Sequence, residues 1–417
     1  MKSWNKMFNY IINIKHRYEQ QYGYQYELFQ DICLKLGEHK LLNDIKITEN
    51  DDPSGHFILL KYSLLNGMDD IFQEGHMYRE ARSLVINLTK EEIVLCPFQK
   101  FFNINEIPET NINYVEKLIS QADLVEFSDK LDGNMQQYRW YDNHIVYSGS
   151  SALSIEKSYQ LKRGLDIFNS NIGYLNLIKA HPEYTYIFEC ILNDGLHIVQ
   201  YKNESLKLIG ARNVNDGSTI TYAEVEYLGN LFHIPTTKID NIDFENALNN
   251  LDKYQANEKE GWVIYIRAND NEYRYKLKCN DYVKIHHILD YMNSTNVVIK
   301  AIADNYYDDL ISKVPAIYRE RVSKYCNTIR EFLLKKNLMI DAYYNKVKDI
   351  QDMKDFAKYV NQFPKSIRGY LYMKKKEKDF NLLKQNIIST TPKYIKYYEI
   401  EDFLNEYKEY MNELNNY

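Results

Sequence analysis

A chain of 417 residues with 45% hydrophobic and 26% charged side chains is long enough for two globular domains. Its net charge of −6 excludes a uniformly basic nucleic-acid coat, but Lys and Arg outnumber Asp and Glu in residues 300–417, which leaves room for a local phosphate-binding surface. The five scattered cysteines (Cys33, Cys96, Cys190, Cys279 and Cys326) form no C-x-x-C pair, and no apolar run approaches the roughly 18 residues of a membrane span, so a disulfide frame, a cysteine zinc site and membrane insertion are not expected.

The N-terminal stretch, with Asn and Lys breaking its apolar residues, lacks the core and cleavage site of a signal peptide, so a cytoplasmic protein is expected. Heavy use of Asn, Ile, Lys and Tyr suggests an AT-rich genome, and the compartment is the host cytoplasm if that source is viral. From about residue 81, short β-branched and aromatic runs alternate with turn residues. They predict strands over Arg82–Asn87, Ile93–Phe98, Leu124–Ser128, Met135–Trp140, His144–Tyr147, Thr185–Leu192, Leu206–Ala211, Trp262–Arg267 and Tyr273–Lys278. Helical patterns fall near 154–169, 221–232, 243–253 and 281–292. Strands with inserted helices predict an α+β domain of antiparallel sheets with flanking helices over residues 1–294.

Beyond residue 295 the texture changes. Tyr318, Val322, Tyr325, Ile329 and Phe332 recur at spacings of four and three, the stripe of an amphipathic helix. An all-helical domain is expected over 295–417, with the boundary in the polar cluster Asn293–Asn296. Within it, Lys365–Lys384 sets Arg368, Lys374, Lys375, Lys376 and Lys378 among Tyr370, Tyr372 and Phe380. That mixture suits either an RNA-backbone grip or a solvated helix face.

Chemistry concentrates around Lys130-Leu131-Asp132-Gly133. Alone, Asp-Gly between two strands reads as a hairpin turn. It does not stand alone, because further charged motifs follow in order. Arg82 opens Arg-Ser-Leu-Val-Ile-Asn, and Cys96-Pro-Phe-Gln-Lys-Phe-Phe-Asn103 contains Lys100. Downstream come Tyr186-Ile-Phe-Glu189, Glu260-Gly-Trp-Val-Ile264 and Tyr275-Lys-Leu-Lys278. Strand alternation puts Arg274, Lys276 and Lys278 on one face, opposite Tyr273, Tyr275 and Leu277. A lysine nucleophile needs its amine free although its ordinary pKa is about 10.4, and nearby cations or desolvation lower that value.

This ordered set resembles the covalent nucleotidyltransferases, and within them the phage-type ATP-dependent RNA ligases that repair broken tRNA, over roughly residues 78–290. The resemblance implies a nucleotidyltransferase (adenylyltransferase) fold in which Lys130 takes AMP from ATP, with Asp132 and Gly133 shaping the loop after it. It implies that Glu189 receives the ribose hydroxyls, that Arg82, Lys100, Lys276 and Lys278 hold phosphates or reacting ends, and that Glu260 holds Mg²⁺, with Mn²⁺ as a substitute. Phe101, Phe102 and Phe188 are expected in pocket wall and core. Implied partners are RNA ends, cleaved tRNA among them, and a separate end-healing kinase or phosphatase, since no P-loop motif occurs here. The helical domain would supply RNA recognition.

Three positions depart from the pattern. Asn134 stands where Ser or Thr is common, Ser83 where Gly follows the arginine, and Ser148 where lysine precedes the glycine of Tyr147-Ser-Gly-Ser150. A phosphate contact is therefore either missing or supplied from elsewhere. Three other readings stay open at this point: a DNA ligase, a capping guanylyltransferase, or an inactive RNA-binding module. His286 and His287, without further ligands, do not predict a metal site. Residues 1–75 either cap the nucleotide pocket or extend the sheet.

Overall fold

The structure, a computed structural model, describes residues 3–23, 27–63, 75–193, 197–292, 295–303 and 316–376, and isolated positions at 311, 314, 400, 403–405, 407, 409, 410 and 412. The chain divides into two compact units, Met1–Val283 and Lys284–Tyr417. The division falls inside the helix Asn280–Met292, ahead of the polar cluster where the sequence placed it. Asn293 of that cluster lies outside the described residues.

The first unit is α+β. Three helices, α1 (Lys6–Tyr22), α2 (Phe29–Lys35) and α3 (His39–Asp44), lead into β1 (Ile45–Asp52) and β2 (Gly55–Tyr62). These strands join β3 (Arg82–Asn87) and β4 (Glu92–Leu95) in a sheet of order β1-β2-β3-β4. Residues 45–62 thus extend the sheet. Alternation along β2 splits its side chains. Ile58 and Leu60 pack on Met7, Ile11 and Ile14 of α1, while Phe57 and Leu59 pack with Val146 and Tyr141. The strand expected over Ile93–Phe98 stops at Leu95, where Cys96-Pro97 follows and proline has no N–H to give.

The second sheet has the order β10-β9-β7-β8, from β7 (Asn134–Tyr141), β8 (His144–Gly149), β9 (Tyr184–Ile191) and β10 (Ser205–Asn213). The third runs β11-β6-β12-β13-β5, from β5 (Phe102–Asn103), β6 (Leu124–Asp129), β11 (Ile239–Asp240), β12 (Gly261–Ala268) and β13 (Asn271–Lys278). Among the described residues, the named strands pair antiparallel except β13 with the two-residue β5. Helices α4 (Ile112–Ser120), α5 (Tyr159–Asn169), α6 (Ile172–Ala180), α7 (Tyr222–Phe232) and α8 (Phe244–Asn249) flank the sheets. A capping box fixes the start of α7, where Thr221 and Glu224 each receive the other's backbone N–H.

In the second unit the described elements are helices: α10 (Thr295–Ala303), α11 (Ala316–Asn345), α12 (Met353–Val360) and α13 (Lys365–Lys376), after the rest of α9 (Asn280–Met292). On α11, Tyr318, Val322, Ile329 and Phe332 are buried, but Cys326 takes the buried place beside a half-buried Tyr325. The basic cluster on α13 is turned partly inward. Lys374 pairs with Asp341, Lys375 donates to the carbonyls of Lys348 and Ile350, and Tyr370 is buried. Lys378 and Phe380 lie outside the described residues. Among the described residues, no helix is long and apolar enough to cross a membrane, and all five cysteines are buried free thiols.

Candidate active site

Backbone pairing alone brings the charged motifs together. β6, β12 and β13 are neighbours, with Asp129 opposite Trp262 and Gly261 opposite Lys278. The Lys130 N–H donates to the Gly261 carbonyl at 2.9 Å, and the Cys279 N–H donates to the Glu260 carbonyl at 2.9 Å. Glycine is required at 261, with φ at +147° and a Cβ there falling 2.0 Å from the Leu277 oxygen. So the ends of three adjacent strands present Lys130, Glu260 and Lys278 side by side. Lys130 Nζ lies 2.7 Å from Glu260 Oε1, and Lys278 Nζ lies 3.0 Å from the same oxygen. Glu260 is only 3% exposed, and two ammonium groups offset its burial.

The loop from Lys130 to Gly133 is not a hairpin. β6 pairs with β11 and β12, whereas β7 pairs with β8 and β9, so the loop crosses from one sheet to another. Gly133 does not take a positive φ. Its role is close approach, because a Cβ would sit 2.7 Å from the Cys190 oxygen and 2.8 Å from Glu189 Cγ. The Asp132 carboxylate accepts the backbone N–H groups of Ile198 (2.7 Å) and Val199 (3.0 Å) and lies 3.3 Å from His197 Nδ1. Burial alone would raise its pKa, but the His197 and backbone hydrogen bonds outweigh burial and hold it below the usual range. Asp132 therefore ties the loop to residues 197–199, and Asn134 Nδ2 meets His197 Nε2 at 3.1 Å, so the departure at 134 is part of this bracing.

A cavity of about 290 Å³ opens on this loop, lined by Arg82, Phe101, Lys130, Gly133, Glu189 and Lys276 among others. Its electrostatics suit an anion beside a neutralised acid. Burial pushes Glu189 up to about 7, with Lys130 and Arg82 opposing the shift and Glu260 and Asp132 adding to it. Burial, then the charges of Arg82, Lys130, Lys100 and Lys278, drive Lys276 well below the ordinary lysine value. The Arg82 guanidinium lies 4.9 Å from the Phe101 ring, and Lys276 Nζ lies 4.8 Å from it. Among the described residues, Arg82 Nη1 is buried with no hydrogen-bond partner, an arrangement that an incoming phosphate oxygen would complete.

The other expected residues sit around this cavity and not on its wall. Glu260 and Lys278 lie beside Lys130 and act on Glu189 and Lys276 respectively through their charges, and Asp132 lies behind the loop. Lys100 faces a neighbouring cavity of about 600 Å³ across Phe98 and Phe101, its ammonium over the rings of Tyr62 and Phe102. Phe101 is wall, while Phe102 and Phe188 belong to separate cores. Ser83 has φ +72° at an irregularity where Leu60 pairs with Leu84 but Lys61 with Arg82, so the chain keeps the left-handed geometry that glycine favours. Ser148 is buried and accepts from Gln137 Nε2 at 2.7 Å, so position 148 faces the interior. Sequence reasoning missed Ser150 as pocket lining, and it missed Lys61, whose ammonium donates to Ser150 Oγ at 3.1 Å. The apolar run His56–Leu60 was the signal for the strand that carries Lys61.

The family model described as RNA ligase matches residues 80–282, which span every charged motif above. A Thermovibrio ammonificans protein provisionally described as an RNA ligase is 24% identical over 313 residues, covering 70% of this chain and 77% of that protein. Among solved structures, a protein from Aquifex aeolicus provisionally described as an ATP-dependent DNA ligase has a TM-score of 0.43 at 15% identity, covering 70% of this chain and 72% of its own. The Naegleria gruberi RNA ligase with pyrophosphate has a TM-score of 0.36 at 15% identity, and the match spans 45% of this chain and 57% of that one. Over residues 80–282 the chain is therefore similar to RNA ligases, and Lys130 lies within the matched segment.

Proposed function

We propose that this ligase joins RNA 5′-phosphate and 3′-hydroxyl ends through a lysyl-adenylate on Lys130, in the repair of broken RNA such as cleaved tRNA. The observation that carries this reading is the Lys130 amine at the mouth of a cavity holding Glu189, Arg82 and Lys276. The Lys130 Nζ lone pair attacks the α-phosphorus of ATP, the bond to the β-phosphate oxygen breaks, and pyrophosphate leaves as the amine sheds a proton. An oxygen of the RNA 5′-phosphate then attacks the same phosphorus, the N–P bond breaks, and Lys130 recovers a proton. Finally the 3′-hydroxyl attacks the activated 5′-phosphorus and AMP departs.

Arg82 and Lys276 offset phosphate charge, and Glu189 is set to meet the ribose hydroxyls. Mg²⁺ takes one or two carboxylates together with phosphate oxygens. Glu260, which faces Lys130 and Lys278, would be the carboxylate that holds the ion. When bound there, the ion would neutralise charge on the α-phosphate. A separate kinase or phosphatase would prepare the ends.

The test is incubation with α-labelled ATP and Mg²⁺, followed by a denaturing gel. Wild type should retain the label and Lys130→Ala should not. No label on either protein, with pyrophosphate removed and GTP also tried, would leave an RNA-binding module. A DNA ligase or capping enzyme would be expected to place a small β-barrel after the last lysine motif, but here α9 starts two residues after Lys278. Sealing of nicked duplex DNA, or charging by GTP, would reverse that choice.

A further inference from the structure

The nucleotide cavity is not closed on the side of Ser150. A smaller cavity of about 130 Å³ shares Asn134, Met135 and Ser150 with it. That cavity in turn shares Ser151, Ser158 and Gln160 with an outer groove of about 430 Å³, lined also by Lys46, Thr48 and Lys157. The three spaces therefore lie in a row from Lys130 outward, past several hydroxyls.

Cations follow the same path. Lys61 shares the strand face of Phe57 and Leu59, the face that packs on β7 and β8, and alternation aims its ammonium at Ser150. Across the β1–β2 pair Lys46 stands opposite Lys61, and Lys61 stands opposite Arg82 across β2–β3. A line Lys46–Lys61–Arg82 thus crosses three strands toward the cavity. Among the described residues no carboxylate pairs with Lys46, Lys61 or Lys157, whereas Glu49 in the same groove is occupied by His56 and the N–H groups of Phe29 and Gln30. Burial, then the charges of Lys46 and Arg82, push the Lys61 pKa down.

We propose that this groove holds the 5′-phosphorylated RNA strand, with Lys61 on its terminal phosphate and Lys46 and Lys157 on the backbone beyond. The assignment rests on the ligase reading for the chemistry of the acceptor. Hydroxyls and lysines on a strand path suit a sugar–phosphate chain read without base specificity.

Two measurements test it. In the first, fluorescence anisotropy compares a 5′-phosphorylated single-stranded oligoribonucleotide with its 5′-hydroxyl twin. Lys61→Gln should cut the preference for the phosphorylated strand about tenfold, a loss in the range of one charge-assisted contact, and Lys61→Arg should retain it. The double variant Lys46→Gln/Lys157→Gln should weaken both strands alike and flatten the dependence of log K on log salt by about 1.4, at about 0.7 per phosphate contact. In the second, enzyme charged with labelled AMP is chased with the phosphorylated strand. Transfer should fall about tenfold more than charging does in Lys61→Gln. An unchanged phosphate preference would overturn the proposal, and so would a defect confined to charging, which would give Lys61 to the ATP triphosphate. Wild type that takes no label yet shows a Lys61-dependent phosphate preference would sink the ligase chemistry while supporting the groove.

Discussion

Lys130 Nζ lies 2.7 Å from Glu260 Oε1, so the proposed nucleophile and a buried carboxylate form an ion pair. Lys278 reaches the same oxygen, and Glu260→Ala leaves two ammonium groups, each about one-fifth exposed, facing each other. Removing one member of a fully buried pair costs about 3–5 kcal/mol. With partly exposed lysines, a loss of about 2 kcal/mol is expected in urea unfolding. Adenylate formation should fall by about 100-fold, the scale of one lost electrostatic partner in a closed site. A variant that charges at the wild-type rate would remove Glu260 from the mechanism.

The pH dependence follows from Glu189, raised to about 7 by burial. The folded chain holds this proton between the ordinary carboxyl range, near 4.3, and about 7, whereas the unfolded chain has already lost it. Unfolding therefore releases a proton in that window, and the stability of the ligand-free protein should decline as pH rises from about 5 to 7. Glu189→Gln has no proton to lose, so its thermal midpoint should decline less over the same range. Parallel profiles for the two proteins would contradict the assignment.

Gly133→Ala should damage the site without removing a charge. The new methyl would meet the Cys190 oxygen at 2.7 Å and Glu189 Cγ at 2.8 Å, and one of these contacts is backbone. Overpacking of this kind costs about 1–3 kcal/mol. Moving Lys130 relative to Glu189 should slow adenylate formation by about tenfold or more, read on the same gel as Lys130→Ala. Normal charging would show that the loop tolerates displacement.

Ser83 separates strain from bonding. Its left-handed backbone costs a non-glycine residue about 1–2 kcal/mol, while its hydroxyl donates to the Ser150 carbonyl at 2.7 Å. Ser83→Ala keeps the strain and loses the bond, so a loss of about 1 kcal/mol is expected. Ser83→Gly loses the bond but relieves the strain, and its unfolding midpoint should lie close to wild type. Equal losses in both would mean that the hydroxyl alone matters.

Much of the fold was readable because strands advertise themselves through alternation. All nine expected strands exist, with ends shifted by a few residues. The helices α1–α3 and strands β1 and β2 escaped because residues 1–75 contain no chemical motif to draw attention, although His56–Leu60 is a plain buried-strand run. Lys61 was invisible for the same reason, since only the face shared with Phe57 and Leu59 reveals where it points. The hairpin reading of Asp132-Gly133 used local turn chemistry alone. Which sheet each flanking strand joins is decided by partners far along the chain, Trp262 opposite Asp129 and Cys190 opposite Asn134. The departures at Asn134, Ser83 and Ser148 made sense only with coordinates, as bracing of His197, a tolerated left-handed residue and an interior hydroxyl.

The position of Lys130 along the chain also sets when, during synthesis, it acquires its partners. Glu260 and Lys278 are encoded near the end of the first unit, so a growing chain holds Lys130 long before either exists. Contacts of such long sequence separation form slowly and late. A nascent polypeptide stalled ahead of β12 would hold the lysine without the buried carboxylate that pairs with it. The Lys130–Glu260–Lys278 cluster is therefore built only when almost the whole first unit has left the ribosome.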